Sequence, residues 1–148
     1  MRAGGLWECP RCGAKLVSRN LSHACGPYSV EAFVAGKGAN ARKLFDRFVE
    51  LIATCGEYHL APAKTRVAFL AQVRFASVNA LTDDRMDLHF VLPVRLRSSR
   101  FRKVEQLGKL YVHHMRVTAV EELDAELQGW LQKSYTEYGE RRWLRRRG

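Results

Sequence analysis

Between residues 41 and 55, Ala41, Leu44, Phe45, Phe48, Leu51, Ile52 and Cys55 recur three or four positions apart. On a helix that spacing gathers all seven into one stripe. Such a stripe is stable only against a second apolar surface, so the rest of the chain must supply one. The next sixty residues do. RVAFLAQVRFASV, residues 66–78, is rich in valine and phenylalanine and reads as one bent strand or two short ones. In MDLHFVLPVRL the alternation of Met86, Leu88, Phe90 and Leu92 marks a half-buried strand. YVHHMRV is another, with Tyr111, His113, Met115 and Val117 on one face. The polar TDDR at 82–85 is the expected turn before the second of these regions.

Helix boundaries follow from capping chemistry. Ser29 can cap a short helix that runs through Val34 and stops at Gly36. Asn40 is the expected N-cap of the long helix, and Gly56 its stop. Thr118 stands three residues before Glu121, a capping-box spacing, and Leu123, Leu127, Trp130, Leu131 and Tyr138 continue as an apolar stripe. The order is α+β: a small antiparallel sheet packed with N-terminal and C-terminal helices, preceded by a knuckle- or ribbon-like segment. Two units are expected, a zinc-binding knuckle over 1–28 and an α+β domain over 29–148 with a basic C-terminal end.

The first unit rests on cysteines. Cys9 and Cys12 form C-x2-C, and His23 and Cys25 follow. Two thiolates two residues apart can converge on one ion from a tight turn, and Gly13 permits the backbone that follows. Three sulfurs and one imidazole close a tetrahedron, which predicts a structural zinc with no coordination position left for water. Cys55 falls on the apolar helix stripe and is expected in the core.

Charge suggests a partner. The net charge is +10, and the excess lies in the middle segment and at the two ends. RLRSSRFRK brings Arg95, Arg97, Arg100, Arg102 and Lys103 within nine residues, with Phe101 interleaved where it could stack on a base. Lys64, Arg66 and Arg74 form a second basic set; Arg66 and Arg74 have the parity to share a face and, with Arg100, to line an anion pocket. A solvated, charge-protected strand edge explains the same residues without any ligand. His113 and His114 must point to opposite sheet faces, so they cannot act as one site; His113 reads as a core histidine, and His114 shares its face with Arg116. No nucleophile beside a base and no phosphate-loop glycine pattern can be read.

The expected function is therefore a zinc-containing, non-enzymatic binding module for an anionic partner, with nucleic acid ahead of other anions. The alternatives are a small-molecule or protein-interaction domain with a basic pocket, and an enzyme using His113 or His114. No apolar run reaches the roughly 20 residues of a membrane helix, and MRAGGLW lacks the apolar stretch of a secretory leader, so a cytoplasmic protein is expected.

Six stretches, taken in order, carry a resemblance: WECPRCG with SHAC, KTRVAF, VRFASV, SSRFRKVE, VHHMRV and ELDAELQGWLQKSY. Together they resemble a family of small bacterial α+β proteins classed as a domain of unknown function, some of them labelled predicted transport proteins. The resemblance implies the fold and supports the zinc knuckle, and it brings no established activity. That fold is also similar to a group linked to iron handling, but this basic chain has no carboxylate ridge to which iron could be carried over.

Overall fold

The computed structural model describes residues 29–140, together with the backbone of residues 7–8 and 15–16. Those two pairs form a short antiparallel ribbon, β1 (Trp7–Glu8) with β2 (Lys15–Leu16). Then come α1 (Val30–Val34), α2 (Ala39–Ala53), β3 (His59–Pro62), β4 (Val67–Leu70), β5 (Arg74–Leu81), β6 (Met86–Leu92), β7 (Phe101–Leu107), β8 (Leu110–Val117) and α3 (Ala125–Ser134). β3 to β8 make one antiparallel sheet in the order β3-β4-β5-β6-β8-β7. The fold is α+β, with helices from both ends of the domain packed on the sheet.

The stripe of α2 is buried as its spacing requires: Ala41, Leu44, Phe48 and Ile52 are fully enclosed. Phe48 meets Phe69 of β4 edge to face, with centroids 5.4 Å apart. Met86, Leu88, Phe90 and Leu92 of β6 complete the surface beneath the helices. α3 is tied to the sheet by Ser134, whose hydroxyl donates to the carbonyls of Val91 (2.5 Å) and Phe75 (3.3 Å). The next turn, around Tyr135, packs on Phe75, and the Tyr135 hydroxyl donates to the Glu57 carbonyl at 2.7 Å. Gly56, at φ +145, is required there, because a side chain would strike that same tyrosine.

Several details differ from the sequence reading. The N-cap of α2 is Gly38, not Asn40. The capping acceptor comes instead from the β5–β6 turn: Asp83 Oδ1 accepts from Ala41 N at 3.1 Å, and the Asp83 carbonyl accepts from the Asn40 side chain at 2.8 Å. Gly38 is needed because a Cβ would collide with that carboxylate. Glu122 rather than Glu121 closes the capping box, accepting from the Thr118 and Ala119 amides, and it serves only a single 3-10 turn. α3 begins later, capped by Asp124, which accepts from Leu127 N. β3 went unread, and β7 was legible only as the charge-protected edge that explains its basic residues without a ligand. Both are edges, β3 being four residues ending in proline and β7 a charge-rich run.

The zinc expectation is corrected. Its four residues, Cys9, Cys12, His23 and Cys25, lie outside the described residues, and among the described residues no group of three or more His, Cys, Asp or Glu could hold a metal. Among the described residues, no helix is long and apolar enough to cross a membrane.

Candidate functional site

The helices cover one face of the sheet, and the pleat sends alternate residues to the other. Because the registers align, one row on that second face takes a residue from every strand of the sheet. It runs Ala61, Ala68, Ser77, His89, His114 and Lys103, each paired with the next. Small side chains occupy its first half and two imidazoles and an ammonium its second. A depression of about 360 Å³ opens there, lined by Asn79, Asp87, Leu88, Arg102, Lys103, His114 and Met115.

A bulge in β7 shapes this end of the row. Phe101 pairs with Met115 and Lys103 with His114, so Arg102 is the extra residue between them. Phe101 stays on the helix side, with its ring centroid 4.9 Å from both His113 and Trp130. Two consecutive basic residues thereby reach the depression on the other face.

The two histidines of the row are held differently. Their ring centroids are 5.4 Å apart. His114 Nε2 lies 2.7 Å from Glu105 Oε1, and Lys103 Nζ is 3.6 Å from the same carboxylate. The bond from His114, with the charge of Lys103, holds the Glu105 carboxyl below its usual range. His89 is fixed from the opposite side. Asn79 Nδ2 donates to His89 Nδ1 at 2.7 Å, while Asn79 Oδ1 accepts from the Ser77 hydroxyl at 3.0 Å. Burial pushes His89 down to about 4, assisted by the charges of His114, Arg66 and Arg74. With Nδ1 accepting from the Asn79 amide, the neutral ring carries its proton on Nε2.

One row along, Asp87 accepts from Arg116 Nε at 2.7 Å and Nη2 at 3.2 Å, with Arg85 Nε at 3.4 Å. Arg116 above all holds its carboxyl below the ordinary range. Asp87 is thus neutralised by its own partners and Lys103 is paired with Glu105, leaving Arg102 as the charge beside the depression with no ion pair among the described residues.

The residues singled out from sequence scatter. Arg66 and Arg74 do lie close enough to interact: burial first, and then Arg66, lowers the Arg74 guanidinium. Arg100 is not with them. Its Nη1 donates to Asp124 at 3.1 Å and Glu126 at 2.8 Å, its Nη2 donates to the Glu122 carbonyl at 2.6 Å, and it covers the Trp130 ring at 5.5 Å. That guanidinium fastens β7 to α3. Arg95 and Arg97 are exposed on the connection between β6 and β7. Lys64 lines a different depression, with Lys37 and Thr65.

His113 is wholly buried, stacked on Phe90 at 5.2 Å, and its Nε2 accepts from the Leu96 amide at 3.0 Å. It faces away from His114. His89 was missed as a functional candidate. Its parity in MDLHFVL put it opposite the apolar face, but a single sequence does not say which strand lies beside it.

A family described as a domain of unknown function (DUF5655) matches residues 30–137. No curated protein and no solved structure matches the chain. The matched span starts after the cysteine segment, so the expected family character of an N-terminal zinc knuckle is corrected, and the matching description carries no transport role. The expectation of a zinc-containing module favouring nucleic acid is corrected with it. No metal-holding group is found among the described residues, Arg100 is consumed by carboxylates, and Phe101 packs inward. By the extent of that match, the chain belongs to the DUF5655 family of domains of unknown function.

Proposed function

We propose that the domain binds a small oxyanion, such as a phosphate or carboxylate group, on the sheet face opposite its helices, without a metal. The observation that supports this is the alignment of His89, His114 and Lys103 on three neighbouring strands beside Arg102. A neutral imidazole offers an N–H without the cost of burying a charge. Lys103 and Arg102 add charge at the rim, and Arg66 and Arg74 raise the local positive potential sensed at His89. Arg100, Arg95, Arg97 and Lys64 have no part in the site.

The test is an affinity measurement with inorganic phosphate at low ionic strength. Replacing Arg102 and Lys103 together by alanine should weaken binding roughly tenfold or more, since two charge-assisted contacts are lost. Replacing Arg95 and Arg97 should leave it nearly unchanged. Equal loss from both pairs would mean that only diffuse charge is being sensed, and the reading would fall.

A further inference from the structure

The hydrogen bonds behind His89 have two complete arrangements. In the first, the Ser77 hydroxyl donates to Asn79 Oδ1 at 3.0 Å and Asn79 Nδ2 donates to His89 Nδ1 at 2.7 Å. That arrangement suits a neutral ring. A protonated ring carries hydrogen on Nδ1 as well, which would face the Asn79 NH2 group with no acceptor. Rotating the Asn79 amide by half a turn removes the conflict. Oδ1 then accepts from His89 Nδ1–H, and Nδ2 donates to the Ser77 oxygen. The displaced hydroxyl hydrogen already has a second acceptor, the Val67 carbonyl, 3.3 Å from Ser77 Oγ. Every polar group stays paired in both states. Ser77 is buried at 1% exposure, so neither arrangement relies on bulk water to satisfy it.

We propose that Ser77, Asn79 and His89 form a two-state relay that lets His89 take up a proton from solvent when an oxyanion occupies the face it shares with His114. The inference rests on the anion-binding reading and adds its proton linkage. In the empty site the charged groups around His89 mostly oppose protonation: His114 from β8, Arg66 from the β3–β4 turn and Arg74 from β5. Glu105 from β7 alone favours it, and is itself engaged by His114 and Lys103. An anion on this face reverses that balance, since it attracts the charge that Arg66 and Arg74 repel. The relay supplies the acceptor for Nδ1–H. Binding then consumes protons and strengthens as pH falls, for as long as His89 is neutral in the free protein.

The experiment is calorimetry with sulfate, whose charge does not change near pH 5.5, in two buffers of different ionisation enthalpy. The difference in heat counts protons exchanged by the protein. Wild type should take up a large fraction of one proton per sulfate, about half or more. His89→Gln, which can hydrogen-bond but not ionise, should bind with clearly smaller uptake. Asn79→Leu, which removes the acceptor for Nδ1–H, should do the same while leaving His89 present. Sulfate binding with no proton uptake, or with equal uptake in all three proteins, overturns the relay but leaves the anion site standing. No sulfate binding by wild type overturns both.

Discussion

His113 and His114 are adjacent in sequence and occupy opposite environments. His113 is enclosed between Phe90 and Phe101, and its Nδ1 is buried without a hydrogen-bond partner among the described residues. Burial holds it below the usual 6.5 of an imidazole, although the backbone of Phe90 and Tyr111 works the other way. His114 is half-exposed and tethered to Glu105. The contrast was legible in YVHHMRV, because strand parity alone separates the two rings. Their stabilities should separate as well. His113→Ala should cost about 3 kcal/mol in chemical denaturation, through a cavity beside Phe90 and an unanswered Leu96 amide. His114→Ala, which breaks a solvent-screened pair, should cost less than about 1 kcal/mol. The unfolded chain protonates His113 near 6.5 and the folded chain only at lower pH, so this contribution is full above 6.5 and lost as pH falls from there through the lower folded value. The midpoint of wild type should therefore drop between pH 7.5 and 5.5. His89, depressed in the same sense, adds to that drop, so a midpoint as high at pH 5.5 would contradict the direction given for both rings.

At the scale of elements, local signals located α1, α2, β6 and β8, whose periods are strong. Ends set by distant residues were not legible. Asn40 has the right chemistry to cap α2, yet the acceptor is Asp83, more than forty residues away in the β5–β6 turn. One carboxylate therefore joins the hairpin to the helix start, where a negative charge also meets the positive end of the helix dipole. Asp83→Ala should lower stability by about 1 kcal/mol, within the range measured for N-caps. Asn40→Ala should cost less, because its side chain only donates to the Asp83 carbonyl. The reverse order in thermal unfolding would return the cap to Asn40. The same limit applies to RLRSSRFRK. Its charges announce a solvent-exposed edge, but nothing local says that Arg100 will be bound by Asp124 and Glu126. Nor does it say that a bulge will send Arg102 and Lys103 to one side.

For the whole molecule, the fold class followed from where apolar residues recur, while the candidate site depended on lateral strand order. The row from Ala61 to Lys103 exists because β8 sits between β6 and β7, which brings His89 beside His114 across 25 residues of sequence. Burial patterning carries no such information: it gives each strand a face, not a neighbour. The net charge of +10 pointed toward anions, but among the described residues the basic side chains are divided among ion pairs, exposed connections and one depression. Histidine side-chain 15N spectra during a phosphate titration at low ionic strength test the anion site most directly. His89 and His114 should shift together and saturably, while buried His113 stays fixed. Saturable binding that leaves His89 and His114 unmoved would contradict the anion site.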